Sequence, residues 1–492
     1  MTAALTRSAQ RAGAPLSILA GAALLRLVSG VGFVNYDTLY ALAWGGQLSR
    51  GQPPAYSVVL APTPHPLLEL LGVVLVPLGA HAAADVTLAL GFIALSACGW
   101  VIYRLGATWF SRPAGLLAAA IFLTRVPVLS YGVRAYVDLP YLLLVLGALL
   151  IESRRRRAGA PVLALLAAAG LLRPEAWAFS GLYWLYSIGW RPPFLAGGGG
   201  DARVQRPSRS RREVALLALL AAAAPIVWVA SDLLITGHPL WSLTNTRHTA
   251  TTLGREKGIA KVPEYIPRRI GEILRPAVLV AAALGGVLTL LWLRSRALLG
   301  AAAGVLAVVV FALFAALGLP INTRYAFLVA AILCVFAGAG VFGWINLARG
   351  EQRRHWWIAG AALVLVALIA YAPAQYRSAH REFDKLARQQ RVEGDLLALV
   401  DDHAINLACG PVGVPNHASI PLLALYLKTS PRNVVSLQVG SIASGVYVDP
   451  ASQTVERDYA LDRRDPVKAV SVPPGFTEAR ANRSWLIFHR CS

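Results

Sequence analysis

The sequence predicts an all-α polytopic membrane protein, about 11 transmembrane helices, with a small α/β domain at its C-terminal end. Three observations carry that reading. Apolar runs of 16 to 22 residues recur along most of the chain, each close to the ~20 residues a helix needs to cross a bilayer core. Hydrophobic residues make up 56% of the 492 and charged ones 14%, with a mean hydropathy of +0.56, which a soluble protein or one with a single anchor does not reach. From about residue 373 the runs stop and a polar stretch with frequent turn signals begins.

The formal charge of +21 does not indicate nucleic acid. The arginines sit in short loops between apolar runs, where they orient a membrane protein and meet anionic headgroups, and no basic stripe with interleaved aromatics occurs. The high Ala, Arg and Gly content fits a bacterial, GC-rich origin and a place in the cell envelope.

Taken in order, the chain starts on the cytoplasmic side with Arg7 and Arg11, and its first run (15–34) reads as an anchor rather than a cleaved signal. Residues 35–85 form a long outer loop. Within it, 66–78 is apolar but only 13 residues long and holds Glu69 and Pro77, so it reads as an interfacial or re-entrant helix. Further crossings follow at 86–103, 114–131, 138–151, 161–172 and 176–188. A Gly-, Pro- and Ser-rich cytoplasmic linker at 191–213 precedes the crossing at 214–235. An outer loop at 237–276 leads to crossings at 277–293, 298–317, 326–345 and 356–371. This threading puts 19 Arg and no Lys in the cytoplasmic segments, whereas making 66–78 a crossing would move Arg154-Arg155-Arg156-Arg157 outside. The bacterial plasma membrane is thus the expected location, with a cytoplasmic N-terminus.

Two domains are expected: a polytopic unit over 1–372 and an extracytoplasmic α/β unit over 373–492. In the second, 392–400 and 421–427 read as helices and 433–437, 445–448 and 485–489 as strands. Cys409 and Cys491 are the cysteines outside the apolar runs; in an oxidising compartment they are candidates for a disulfide, the alternative being two free thiols.

Threaded this way, the polar motifs of the membrane unit return to one face. Asp37 follows the first run, where its bland role is a helix cap. Asp138 opens a run beside Pro140, again a capping context. Arg173-Pro174-Glu175 interrupts an apolar stretch, either as a tight turn with its charges paired or facing water or ligand. Arg324-Tyr325 opens another run, where snorkelling is the plain alternative. Arg26 and Arg125 lie within runs and call for partners. The loop 237–276 carries Gly237-His238-Pro239-Leu240 and Arg247-His248, with a charge mixture typical of a solvated face. His65, His238 and His248 could join Asp37 or Glu69 around a divalent cation, but no metal-ligand spacing supports this, and no Walker loop or nucleophile elbow is present. No cofactor is implied with certainty.

Across residues 15–345 these motifs, in this order, resemble the glycosyltransferase-C superfamily, especially the protein O-mannosyltransferases and aminoarabinose transferases that use lipid-linked sugars. The resemblance rests on Tyr36-Asp37 after the first crossing, Pro64-His65-Pro66-Leu67 before the interfacial helix, and Val137-Asp138-Leu139. It continues through Leu172-Arg173-Pro174-Glu175, Gly237-His238-Pro239-Leu240 and Arg324-Tyr325. Two departures are visible: Thr38 stands where the family often has a second acid, and His65 where Lys or Pro is commoner.

The resemblance implies inverting transfer of a sugar from a polyprenyl-phosphate donor to a glycan, lipid or protein acceptor at the outer face. An acceptor hydroxyl then needs a general base; Asp37 is expected in that role and Asp138 beside it. Arg173, Arg324 and Arg247 are expected on the donor phosphate, and Tyr36, Tyr40, His65, Glu175, His248 and Tyr325 in the substrate pocket. The competing class, a transporter or flippase of a lipid-linked or small polar solute, should show repeats or broken helices at mid-membrane; no clear repeat is found.

Overall fold

The computed structural model describes residues 2–189, 209–460 and 471–491; the side chains of Arg7 and Arg11 and most of the predicted linker at 191–213 lie outside them. In chain order the first elements are α1 (Thr2–Ser29), α2 (Tyr36–Ser49), α3 (Pro66–Leu75), α4 (Ala80–Trp109), α5 (Arg112–Leu123) and α6 (Val126–Val133). Next come α7 (Asp138–Arg154), α8 (Ala160–Leu172), α9 (Glu175–Ser187), α10 (Arg211–Thr236) and α11 (Trp241–Thr252). The membrane part closes with α12 (Val262–Trp292), α13 (Arg294–Ala316), α14 (Phe327–Phe342) and α15 (Gln352–Asp401). Six of the described helices are long and apolar enough to cross a membrane, seven if the bent pair α5–α6 is one span. Helices α7, α8 and α9 have 17, 13 and 13 residues, so length by itself does not make them full crossings.

The bundle packs through small residues. A Cβ on Gly285 of α12 would overlap the Phe336 carbonyl oxygen of α14, and one on Gly338 would overlap the Ala114 carbonyl of α5. Such close backbone approach is how helices gain dispersion contact where lipid competes for every apolar surface. Two breaks are joined by one buried cation. Helices α5 and α6 meet at 66°, and α12 kinks at Arg275, whose φ is 65°, just before Pro276. The Arg125 guanidinium lies between them, donating to the Ile121 carbonyl at 3.0 Å and the Leu274 carbonyl at 3.2 Å. Its partners are thus backbone oxygens beside the two breaks, with the Thr124 hydroxyl accepting a third bond at 3.0 Å. Arg26 is exposed on α1.

The two ends of the bundle differ chemically. Helix α7 has Asp138 in its first turn and Arg154 in its last. At the arginine-rich end, Trp109 Nε1 donates to Ser153 Oγ at 2.9 Å and Arg296 to Asn346 Oδ1 at 2.7 Å. Residues Asp37, Asp138, Arg173 and Arg324 occupy the other end, where α2 and α3 lie against each other through Gly45 and Gly72. Helix α3 followed by a 3-10 turn at Val76–Leu78 is the short apolar helix read at 66–78.

Helix α15 runs 50 residues unbroken through Pro373, so the last apolar run and the helix expected at 392–400 are one element. Beyond it lie β1 (Val412–Val414), α16 (Ile420–Tyr426), β2 (Val434–Ser436), β3 (Gly445–Pro450), β4 (Thr477–Ala481) and β5 (Trp485–Arg490). They form a sheet of order β2-β1-β3-β5-β4, parallel over the first three strands and antiparallel at β5 and β4. Strands β1 and β4 have no signal in the sequence reading: β1 has three residues, and β4 is an edge strand exposed throughout. The sheet unit shares a core with the membrane part. Leu39, Tyr40, Leu42 and Trp44 of α2 pack in one cluster with Ile420, Leu423, Val446 and Trp485. Trp485 Nε1 donates to the Val392 carbonyl at 2.8 Å, fastening the sheet to α15. Cys409 and Cys491 are joined by a disulfide, and Cys98 and Cys334 are buried free thiols.

Gly285→Ala should destabilise the bundle by about 1–3 kcal/mol, the usual cost of overpacking. Gly286→Ala, which meets nothing within 4 Å, should leave the melting temperature within error. Thermal unfolding of both in detergent checks this.

Candidate active site

The turn after α1 is built on Asn35. Its Oδ1 accepts from the backbone N–H of Asp37 at 2.9 Å and of Thr38 at 3.3 Å, and its Nδ2 donates to the Arg134 and Ala135 carbonyls at 2.9 and 3.1 Å. Asn35, not Asp37, is therefore the cap of α2, and the Asp37 carboxylate is left for other work. Asp138 is likewise not the cap of α7, whose N-cap is Val137.

Those two carboxylates enter one ion-pair network. Asp37 accepts from Arg324 at 2.7 Å, and the same guanidinium nitrogen stands 3.7 Å from Asp138. Arg173 donates to Asp138 and, through two nitrogens, to Glu175. The Arg173–Glu175 pairing expected of a tight turn is present, but it is half of a larger array. Tyr325 covers the Arg173 guanidinium at 4.3 Å and Tyr141 lies at 5.3 Å, within cation–π range. Three carboxylates against two guanidiniums leave a formal excess of one negative charge. Asp138 and Arg173 are 1% and 5% exposed, so each charge depends on its partner rather than on water.

A cavity of about 630 Å³ opens beside the network. Of the residues expected from the sequence, it brings Tyr36, Asp37, His65, Arg173, Glu175, Arg324 and Tyr325 to one wall system. Asp138 lies behind them, against a separate small void. Three expectations are corrected. Tyr40 is fully buried in the core shared with the sheet unit, its ring 5.0 Å from Trp44, and does not reach the cavity. Arg247 turns to the Leu317 carbonyl, donating at 2.5 Å, and does not line the cavity. His248 is exposed on α11, one position on and so on another face of the helix. His238 stacks on Trp241 instead of approaching Asp37.

Other residues line the cavity that the sequence reading passed over: Arg255, Trp177, Trp228, Asp232 and His417. Arg255 belongs to a stretch whose mixed charges read as a solvated face, yet its Nε is buried and has no hydrogen-bond partner among the described residues. It forms no ion pair among them either, unlike Arg173 and Arg324. Asp232 sits near the end of α10 and accepts from the N–H and hydroxyl of Ser242 at 2.8 and 2.6 Å, tying α10 to α11. His417 comes from the sheet unit and meets Tyr36 edge-on at 5.6 Å, so both parts of the chain wall the cavity. A single buried acid in an apolar run was a legible signal for Asp232; nothing local marked His417.

Electrostatics follow from these contacts. Burial by itself would raise the Asp37 carboxyl, but the Arg324 guanidinium outweighs it and holds the group below its ordinary range. Burial pushes the His65 imidazole down to about 4, so the ring is neutral at neutral pH. Burial raises Glu69 to about 7; it accepts from Tyr56 at 2.5 Å and from the His65 N–H at 3.1 Å, closing the first turn of α3. Among the described residues no group of three or more His, Cys, Asp or Glu side chains is placed to hold a metal ion.

A polytopic helical bundle with a small sheet unit beside it is the architecture of the glycosyltransferase-C fold. The crystal structure of ArnT from Cupriavidus metallidurans, an aminoarabinose transferase bound to undecaprenyl phosphate, has this fold. It matches with a TM-score of 0.53 and 13% identity, covering 97% of this chain and 98% of that one. The likeness is one of fold. No family model and no curated protein matches the sequence.

Arg173→Ala strands two buried carboxylates and should cost about 3–5 kcal/mol, whereas Arg247→Ala, at an exposed carbonyl contact, should stay within about 0.5 kcal/mol. Comparing the two by thermal or denaturant unfolding tests whether the network or the surface arginine carries the fold.

Proposed function

We propose that this protein is a membrane glycosyltransferase that moves a sugar from a polyprenyl-phosphate donor to an acceptor hydroxyl at the outer face of the plasma membrane, with inversion at the sugar carbon. The observation that carries this reading is the cavity itself: a carboxylate–arginine network and Arg255, which has no ion pair among the described residues, converge on it within a fold shared with a protein solved on undecaprenyl phosphate.

The chemistry needs two things of this chain. As the bond between the anomeric carbon and the phosphate oxygen breaks, negative charge grows on the phosphate and must be met by fixed cations. Arg255 is assigned that role in place of Arg247, because its donors are not spent on protein carboxylates; Arg173 and Arg324 add positive charge on the wall but are already paired. The acceptor oxygen forms the new bond to the sugar carbon and gives its proton to Asp37. A carboxylate held low by Arg324 is ionised and ready but only weakly basic, so proton transfer follows bond breaking rather than leading it. Asp138 and Glu175 hold the two arginines in place. The sheet unit, through His417, walls the side from which an acceptor would enter.

Asp37→Asn should lower sugar transfer by about 10²–10⁴-fold, the range of a lost general base, while binding of undecaprenyl phosphate persists. Donor-dependent transfer of radiolabelled sugar in membranes, with binding measured on the purified protein, checks both halves. Undiminished transfer in the variant removes Asp37 from the chemistry, and a wild type that moves the lipid without transfer favours the flippase reading. Arg255→Ala should weaken undecaprenyl phosphate binding by roughly 10–100-fold, as expected when a charge-assisted contact of about 1.5–3 kcal/mol is lost.

A further inference from the structure

The turn that delivers Arg324 draws its support from another helix. It is a 3-10 turn over Thr323–Ala326, ahead of α14, and Asn322 in its capping position makes no side-chain hydrogen bond to it. Support comes from the first half of α12, where Arg269 and Glu272 are three residues apart and so share a helix face. Arg269 donates from Nε to the Ile321 carbonyl at 3.2 Å and from a terminal nitrogen to both Glu272 oxygens at 2.9 and 3.0 Å. Glu272 in turn accepts from the Thr323 hydroxyl at 2.8 Å. Arg268, more exposed, stands 3.4 Å from the same carboxylate.

The clasp takes hold immediately before Arg324. Ile321 is 1% exposed, and both its backbone groups are met from other segments: its N–H donates to the Glu256 carbonyl at 2.8 Å, and its carbonyl accepts from Arg269. Residues 321 and 323 are thus pinned, one through its backbone and the other through its hydroxyl. From that base the Arg324 guanidinium reaches Asp37 at 2.7 Å, the length of a charge-assisted hydrogen bond. The charged and titratable groups that face Asp37 are Arg324 from the turn, His65 ahead of α3, Arg255 from the loop after α11 and Tyr36 beside it, with Asp138 on the far side of Arg324. With Arg324 displaced, burial governs the Asp37 carboxyl and raises it.

We infer that Glu272 and Arg269 are positioning residues, which together with Thr323 clasp the segment ahead of α14 so that Arg324 stays on Asp37. None of the three lines the cavity; they act through Arg324. For its catalytic consequence the inference rests on the reading of Asp37 as general base, since a clasp that keeps Arg324 in place keeps that carboxylate ionised and ready.

Carbodiimide reacts with protonated carboxyls and spares ionised ones. The pH at which it labels Asp37 in the purified full-length protein, read by mass spectrometry, therefore reports the Arg324 contact without any sugar donor. Thr323→Val keeps the side-chain shape and loses the hydroxyl, and Glu272→Ala also frees Arg269. Each should move the labelling midpoint up by about one pH unit, that is, roughly tenfold in proton affinity, and should move the acidic limb of sugar transfer up with it. Thr323→Ser, which restores the donor, should label and transfer as the wild type does. A midpoint that stays in place in both Thr323→Val and Glu272→Ala, with transfer lowered equally at every pH or not at all, overturns the inference. A midpoint that rises while the transfer limb does not retains the clasp and overturns Asp37 as the base, so the two failures are distinct.

Discussion

The Arg173 guanidinium is the interaction on which the site end of the molecule depends. It bridges Asp138 at the start of α7 and Glu175 at the start of α9, and through Asp138 it reaches Arg324 ahead of α14, which in turn holds Asp37 on α2. Four segments far apart in sequence are thus tied by one charge array. At the buried members, Asp138 and Arg173, removing a partner leaves a charge that the interior cannot solvate, whereas Asp37 and Arg324 stand partly exposed at the cavity wall. The pairing with Arg324 fixes the Asp37 carboxylate there, so the contact that holds the helix ends together also orients the proposed base.

Around that array the packing is set by backbone approach rather than by large side chains. Glycines let α12, α14 and α5 come together until their carbonyl oxygens nearly meet the opposing Cα atoms. Arg125 ties the two helix breaks together by donating to both the Ile121 and the Leu274 carbonyls. The sheet unit extends the same logic beyond the bundle. Its α16 and strands β1, β3 and β5 share apolar cover with α2, so the segment bearing Asp37 is packed from both sides and His417 is delivered to the cavity as a by-product of that packing.

The cavity that results has two chemical ends. The charged end offers ionised groups whose partners are mostly within the protein, and among the described residues Arg255 has an Nε donor without a partner. The other end is built from Trp177 and Trp228, packed edge to face, and from Asp232, held by Ser242.

Much of this was legible in the residues. Apolar runs of bilayer length forced helices, since a backbone in lipid must satisfy its own hydrogen bonds, and isolated charges such as Asp37, Asp138, Arg173 and Arg324 were conspicuous because burying them without purpose is costly. Their common end followed from the arginine bias of the loops. What the tertiary structure alone decided is which charges meet. Asn35 rather than Asp37 caps α2; Arg255 rather than Arg247 faces the cavity; Tyr40 points into the core while Tyr36, four residues earlier, lines the cavity. Those choices turn on contacts between segments far apart in sequence, such as the 287-residue separation of Asp37 and Arg324. Composition and spacing set which residues are chemically capable, and only packing sets which of them share a wall, because side-chain direction is fixed by neighbours that the local sequence does not contain.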